Sequence, residues 1–153
     1  MLTSQLDFRA SLISCLSGCG FFPLALSVVS YFKFDSFLLP FQIIASFVLG
    51  PSVISAESNA SFPVLGYALL ILSLWCFAFG FLTHFLLHRW GILVGIVGGA
   101  LLGLCAFAIT FKMLPYFFEW SRAFLRPAFA VAFLAFGAWS GGVYESLEEE
   151  PEN

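Results

Sequence analysis

Charge is what this chain has least of. Only 6 Lys or Arg and 9 Asp or Glu occur among 153 residues, so charged side chains make up 10% of the whole. A soluble domain carries about 25%, and without that polar surface a water-exposed fold stays neither dissolved nor monomeric. The shortage excludes an ordinary soluble enzyme, and a nucleic-acid binder, which needs a basic face. It excludes a disordered chain as well, since disorder goes with high charge and low hydrophobicity. There are 2 His, no Cys-x-x-Cys pair, and no Gly-rich loop ending in Lys-Ser or Lys-Thr. No catalytic set emerges from these residues, so neither enzymatic activity nor a cofactor is expected.

What the chain has instead is apolar surface. Hydrophobic residues make up 61%, and 21 residues are Phe. The length suits a single domain, and the composition makes it an all-α integral membrane protein whose first partner is the lipid bilayer. The rare charges then punctuate the spans. Uncharged runs of 23, 21, 31, 22 and 18 residues separate Arg9 from Lys33, Asp35 from Glu57, Glu57 from Arg89, Arg89 from Lys112, and Arg126 from Glu145. A membrane-crossing helix needs about 20 apolar residues, and lipid forces the backbone to bond within the segment. Four transmembrane helices are predicted, at about 10–31, 63–87, 90–111 and 127–144. Residues 1–9 form a polar lead and 145–153 an acidic tail.

The second run is the ambiguous one. It holds Pro40 and the pair Gly50-Pro51, and Pro51 both removes a helix hydrogen bond and disfavours helix at Gly50. A short interfacial or re-entrant helix near 40–50 is predicted, with a broken fifth span as the alternative. Cytoplasmic loops carry an excess of Lys and Arg. On a four-span count Arg9 and Arg89 share one side while Lys33, Lys112, Arg122 and Arg126 share the other. The Lys112–Arg126 connection is therefore expected in the cytoplasm and the acidic tail in the periplasm.

Leu16-Ser17-Gly18-Cys19 matches a bacterial lipoprotein cleavage box. The apolar run continues more than ten residues past Cys19, whereas a signal's apolar region is about 7–15 residues long, so this segment reads as a first span. Cys15, Cys19, Cys76 and Cys105 all lie in apolar runs and read as small hydrophobes.

The third predicted span carries the clearest pattern. Gly91, Gly95, Gly99 and Gly103 recur every four residues, and Gly137 with Gly141 repeats the spacing in the last span. Each glycine costs a helix about 1 kcal/mol relative to alanine. Between lipid-embedded helices, small residues let backbones approach, so these six positions are expected to form a helix-packing interface. It joins helices of one chain or lies between subunits.

Polar candidates are few. His84 and His88 stand four apart, a spacing able to hold a metal or haem. Their place beside Arg89 and Trp90, where two spans must turn, makes them ordinary residents of the membrane interface. They are weak metal candidates only, and no metal site is expected. Lys112, Glu119, Trp120, Arg122 and Arg126, with Arg89, are expected to contact lipid headgroups or a partner. The Lys112–Arg126 segment reads as a helix lying in the interface.

Four features occur in order: Ile44-Ala45-Ser46-Phe47-Val48-Leu49-Gly50-Pro51, His88-Arg89 before a Gly-rich span, Phe118-Glu119-Trp120-Ser121-Arg122, and Phe136-Gly137 through Gly142-Val143-Tyr144. Together they resemble a group of small, uncharacterised bacterial four-span inner-membrane proteins over roughly residues 20–147. The resemblance implies an inner-membrane location and four spans, and it implies no activity. Many members of that group carry a histidine early in the second span. This chain has only Leu69, Leu70, Ile71 and Leu72 there, so no role of that histidine transfers. Two functions are expected: an accessory or structural subunit that packs on other membrane subunits or on itself, or a small oligomeric channel or carrier.

Overall fold

The computed structural model describes residues 3–54, 61–86, 91–123 and 126–148. Among these residues five α-helices follow one another: α1 (Thr3–Phe34), α2 (Leu39–Leu49), α3 (Phe62–Leu86), α4 (Ile92–Phe117) and α5 (Phe129–Glu148). Two 3-10 turns, Pro51–Ile54 and Glu119–Ala123, join them, and no strand occurs among the described residues. Three helices are long and apolar enough to cross a membrane: α1 over Arg9–Phe34, α3 and α4. The 20-residue α5 is not among them. Its last turns carry Ser140, Gly141, Gly142, Tyr144, Glu145 and Ser146, which dilute its apolar content.

Several boundaries differ from those read off the sequence. Helix α1 begins at Thr3, inside the expected polar lead, because residues 3–9 contain neither Pro nor Gly to stop a helix. It carries Pro23 in its interior, which takes a bond from the Cys19 carbonyl, a loss that membrane helices tolerate. It ends at Asp35, whose φ of 52° is the left-handed conformation that Asp accepts more readily than most residues. Helix α2 is 11 residues long, with Pro40 in its first turn and Gly50 at its end with φ 89°. At about 1.5 Å per residue it is too short to span a bilayer.

Helix α4 continues past the expected end at 111, through Lys112 and Pro115, to Phe117. The Lys112–Arg126 segment is thus not one interfacial helix: its first part completes α4, Phe118 breaks the chain, and Glu119–Ala123 turns tightly. Pro115 sits in the final turn, where few later bonds depend on it.

Helix α5 is central. It packs most extensively against α4, then against α1, while α3 rests on α1 and α2 and barely touches α5. The main core is built from Phe22 and Leu26 of α1, Leu72, Cys76 and Phe79 of α3, and Phe129, Ala132, Phe133 and Phe136 of α5. Phe22 stands edge-on to Phe133 at 5.0 Å and tilts over Phe136 at 4.5 Å, and Phe79 meets Phe136 at 4.8 Å. Rings that large supply most of the dispersion contact holding α1, α3 and α5 together. The outer faces are apolar too: Phe62, Phe85 and Leu93 are largely exposed, as suits helices surrounded by lipid. Lys33, Lys112, Arg122 and Arg126 gather at the end where α1 and α4 finish and α5 begins.

Candidate functional site

The glycine spacing has a direct structural counterpart. Helices α4 and α5 run antiparallel with Gly95, Gly99 and Gly103 buried against α5. A Cβ at Gly99 would collide with the Gly137 carbonyl oxygen, and one at Gly137 would collide with the Gly99 carbonyl. Gly141 stands in the same relation to the Gly95 carbonyl, and Gly103 to that of Phe133. The two backbones touch at three successive points along the seam, an approach that any side chain there would prevent. Two further close approaches had no periodic signal. A Cβ at Gly80 of α3 would run into Cys15 Sγ of α1, and one at Gly18 of α1 would lie 2.8 Å from Phe136.

At the end of the bundle where α1 and α4 begin, the seam leads into a buried polar cluster. Tyr144 is 0% exposed and Glu145 1%. Glu145 is the next fourfold step after Gly137 and Gly141, and its side chain lies across Gly95, whose missing Cβ leaves room for the Glu145 stem. Its Oε2 accepts a hydrogen bond from the Gly91 N–H at 3.1 Å. Gly91 caps the start of α4 with φ 87°, so the carboxylate satisfies one of the orphan donors there and faces the positive end of the helix dipole.

Consecutive helical residues are rotated by about 100°, so Tyr144 turns from α4 toward α3. Its hydroxyl lies 2.7 Å from His84 Nδ1, with the two rings nearly perpendicular. Beside them Thr83, fully buried, donates to the Gly80 carbonyl at 2.8 Å, and Ser14 of α1 donates to the Ser140 carbonyl at 2.7 Å. The last three turns of α5 therefore hold three neighbours at once: α3 through Tyr144, α4 through Glu145, and α1 through Ser140.

The sequence reading assigned Glu145 to an acidic tail that starts just past the last span. The structure instead buries it within α5. The overlooked signal is its spacing, one turn beyond Gly141 on the same stripe. Tyr144, Thr83 and Ser14 carried no such signal, because their partners are far away in sequence.

The remaining candidates are dispersed. His84 is engaged by Tyr144, while His88, Arg89 and Trp90 lie outside the described residues. Among the described residues no three His, Cys, Asp or Glu side chains converge as metal ligands. Lys112, Glu119, Arg122 and Arg126 are exposed at the opposite end of the bundle, and Trp120 is half-buried against Phe47 at 5.3 Å. Residues 149–153 of the acidic tail lie outside the described residues.

Between α3 and α4, at the α2 end of the bundle, lies an apolar cavity of about 340 Å³. The walls come from α3 and α4, the floor from Phe22 and Phe133, and one end is covered by α2. No family model matches this chain, and neither curated proteins nor solved structures give a match.

Proposed function

We propose that this is a non-catalytic, four-span protein of the bacterial inner membrane that serves as an accessory or structural subunit, packed on other membrane subunits or on copies of itself. In this reading α1, α3, α4 and α5 span, α2 lies in one leaflet, the Lys112–Arg126 side is cytoplasmic, and the acidic tail is periplasmic. The collection of Lys33, Lys112, Arg122 and Arg126 at one end of the bundle supports that orientation.

The observation that carries the role is the engagement of α4. Only 22% of its apolar span is buried within the chain, and that part is the glycine face spent on α5. The opposite ridge, Leu93, Val97 and Leu101, is exposed and apolar, available to a neighbouring membrane helix. The test is the native mass of the gently extracted protein, with identification of whatever accompanies it. A defined assembly is expected, weakened by Val97→Trp or Leu101→Trp with membrane insertion intact. A bare monomer overturns the subunit role, and an assembly indifferent to both changes overturns the surface.

The second reading, an oligomeric channel or carrier, draws support from the buried Tyr144 and Glu145 and the half-buried His84 at one end of the bundle, since ionisable groups enclosed between membrane helices commonly mark ion or proton paths. It requires ion or solute flux in liposomes containing this protein alone. Silent liposomes remove it.

A further inference from the structure

The register between α1 and α3 is read at Cys15. Its Sγ rests on Gly80, in the space a Cβ there would take, and donates to the Phe77 carbonyl at 4.0 Å. The two helices run antiparallel: His84 near the end of α3 meets Tyr144, while Ser14 near the start of α1 meets Ser140, one turn away on α5. Cys19 lies one turn beyond Cys15 on α1, and Cys76 lies one turn before Gly80 on α3. One step along each antiparallel stripe therefore sets Cys19 against Cys76. Their thiols lie within interacting reach of each other, and Cys19 packs on the core cluster that contains Cys76. Both are free thiols, Cys76 buried and Cys19 half-buried.

We propose that Cys19 and Cys76 form a redox-active pair that closes reversibly to a disulfide between α1 and α3, with a membrane-dissolved quinone as the oxidant. A disulfide needs Cα atoms about 4.4–6.8 Å apart, closer than the usual spacing of about 8–10 Å between packed helix axes. Gly80 provides the approach, because the Cys15 Cα lies only 3.7 Å from the place its Cβ would occupy. The two backbones are thus close one turn from the pair. Cys15 does not substitute for Cys76, since the four-residue spacing on one helix holds Cβ atoms about 5–6 Å apart, beyond the roughly 3.5–4.5 Å that a disulfide spans. Cys105 is exposed on α4, a helix without extensive contact with α1 or α3.

On closure two S–H bonds break and one S–S bond forms, and the two electrons and two protons reduce the quinone to its quinol. The class of oxidant follows from the setting. Cys19 and Cys76 sit well inside helices long and apolar enough to cross a membrane, among Phe22, Leu72 and Phe79. A charged, water-borne oxidant must shed its hydration to reach them, whereas a quinone dissolves in hydrocarbon and accepts two electrons. Cys19, the more accessible thiol, meets the oxidant first, and the buried Cys76 resolves it, as in redox-sensing cysteine pairs. Helix α3 barely touches α5 and rests on α1 and α2, so the bond sets how firmly α3 is held to the bundle. This site goes beyond the subunit role and does not depend on it.

The test exposes the full chain in detergent micelles to a short-tailed, fully substituted benzoquinone, which cannot add to thiols. Free thiols, counted by alkylation after denaturation, are expected to fall from four to two. One quinol should form per chain, and peptide mapping should find a Cys19–Cys76 link that dithiothreitol reopens. Oxidised glutathione at the same concentration should act at least about tenfold more slowly, because it is charged and hydrated. Cys19→Ala and Cys76→Ala should each abolish quinol formation, with Cys19→Ser and Cys76→Val in their place if either does not fold. A chain carrying Cys15→Ala and Cys105→Ser together should still form the link. Four thiols surviving the quinone, or quinol formation surviving the loss of Cys19 or Cys76, overturns the proposal. Oxidised glutathione acting as fast as the quinone overturns the choice of oxidant.

Discussion

Glu145 reaches the backbone N–H of Gly91 at 3.1 Å by lying across Gly95. The last turn of α5 is thereby tied to the first turn of α4 at the point where the glycine seam ends. A carboxyl group only 1% exposed needs such a partner, since a buried polar group left without a hydrogen bond is costly. The helix dipole and the Gly91 donor provide one, and Gly95 provides the room.

Removing that tie is the first expectation. Glu145→Ala should destabilise the protein by about 1–3 kcal/mol, because the Gly91 N–H loses its acceptor. Glu145→Gln keeps an acceptor of the same length and loses the charge facing the helix terminus, so it should cost less, roughly 0.3–2 kcal/mol. Thermal unfolding in one detergent, followed by loss of helical signal, compares the two. An Ala variant as stable as the parent would show that the contact carries no energy.

A second expectation concerns the seam. Gly99→Ala places a methyl group against the Gly137 carbonyl, and should cost about 1–3 kcal/mol through forced separation of the helices despite alanine's better helix propensity. Gly20 and Gly66 have nothing within 4 Å of an added Cβ, so Gly20→Ala and Gly66→Ala should be neutral or stabilising by up to about 1 kcal/mol. If all three variants unfold together, the seam is not what holds α4 to α5.

The approach of α1 to α3 gives a third test with an internal rescue. Gly80→Ala collides with Cys15 Sγ, whereas Cys15 Cβ lies 3.4 Å from the added group, an ordinary contact. Gly80→Ala alone should destabilise by about 1–3 kcal/mol. Cys15→Ala in the same chain should recover most of that, a coupling a double-mutant cycle reads directly. Independent, additive losses would place the two residues apart.

The hydroxyl of Tyr144 supplies a fourth. Tyr144→Phe deletes the bond to His84 and should cost about 0.5–1.5 kcal/mol. With His84 already replaced by Phe, the same change should cost less, because that bond is already absent. Equal costs in both backgrounds would mean the 2.7 Å contact contributes nothing.

Much of the fold was legible in the chain, for identifiable reasons. Apolar runs between sparse charges located α3 to within a residue and the body of α4, since a helix satisfies so long an apolar backbone within its own segment. Gly50-Pro51 marked the end of α2 because both residues act on their own backbone. The boundaries of α1 and α4 were read short: charge was taken as a stop, yet Arg9 and Lys112 sit comfortably within helices whose ends reach beyond the apolar stretch. The buried cluster was almost illegible, with only the step from Gly141 to Glu145 hinting at it.

The sequence alone determined what is periodic or compositional: a chain too poor in charge for water, helices wherever apolar residues run long, and glycines aligned on one face of α4 and one face of α5. Those properties belong to single segments, where each residue acts on its own backbone or on the surrounding solvent. Only the tertiary structure decided which faces meet. It turned the glycine stripe inward against α5, placed Cys15 over Gly80, and brought His84 to Tyr144 across 60 positions of chain. Packing sets those relationships through the shape and hydrogen-bonding needs of distant side chains, and no local pattern records them.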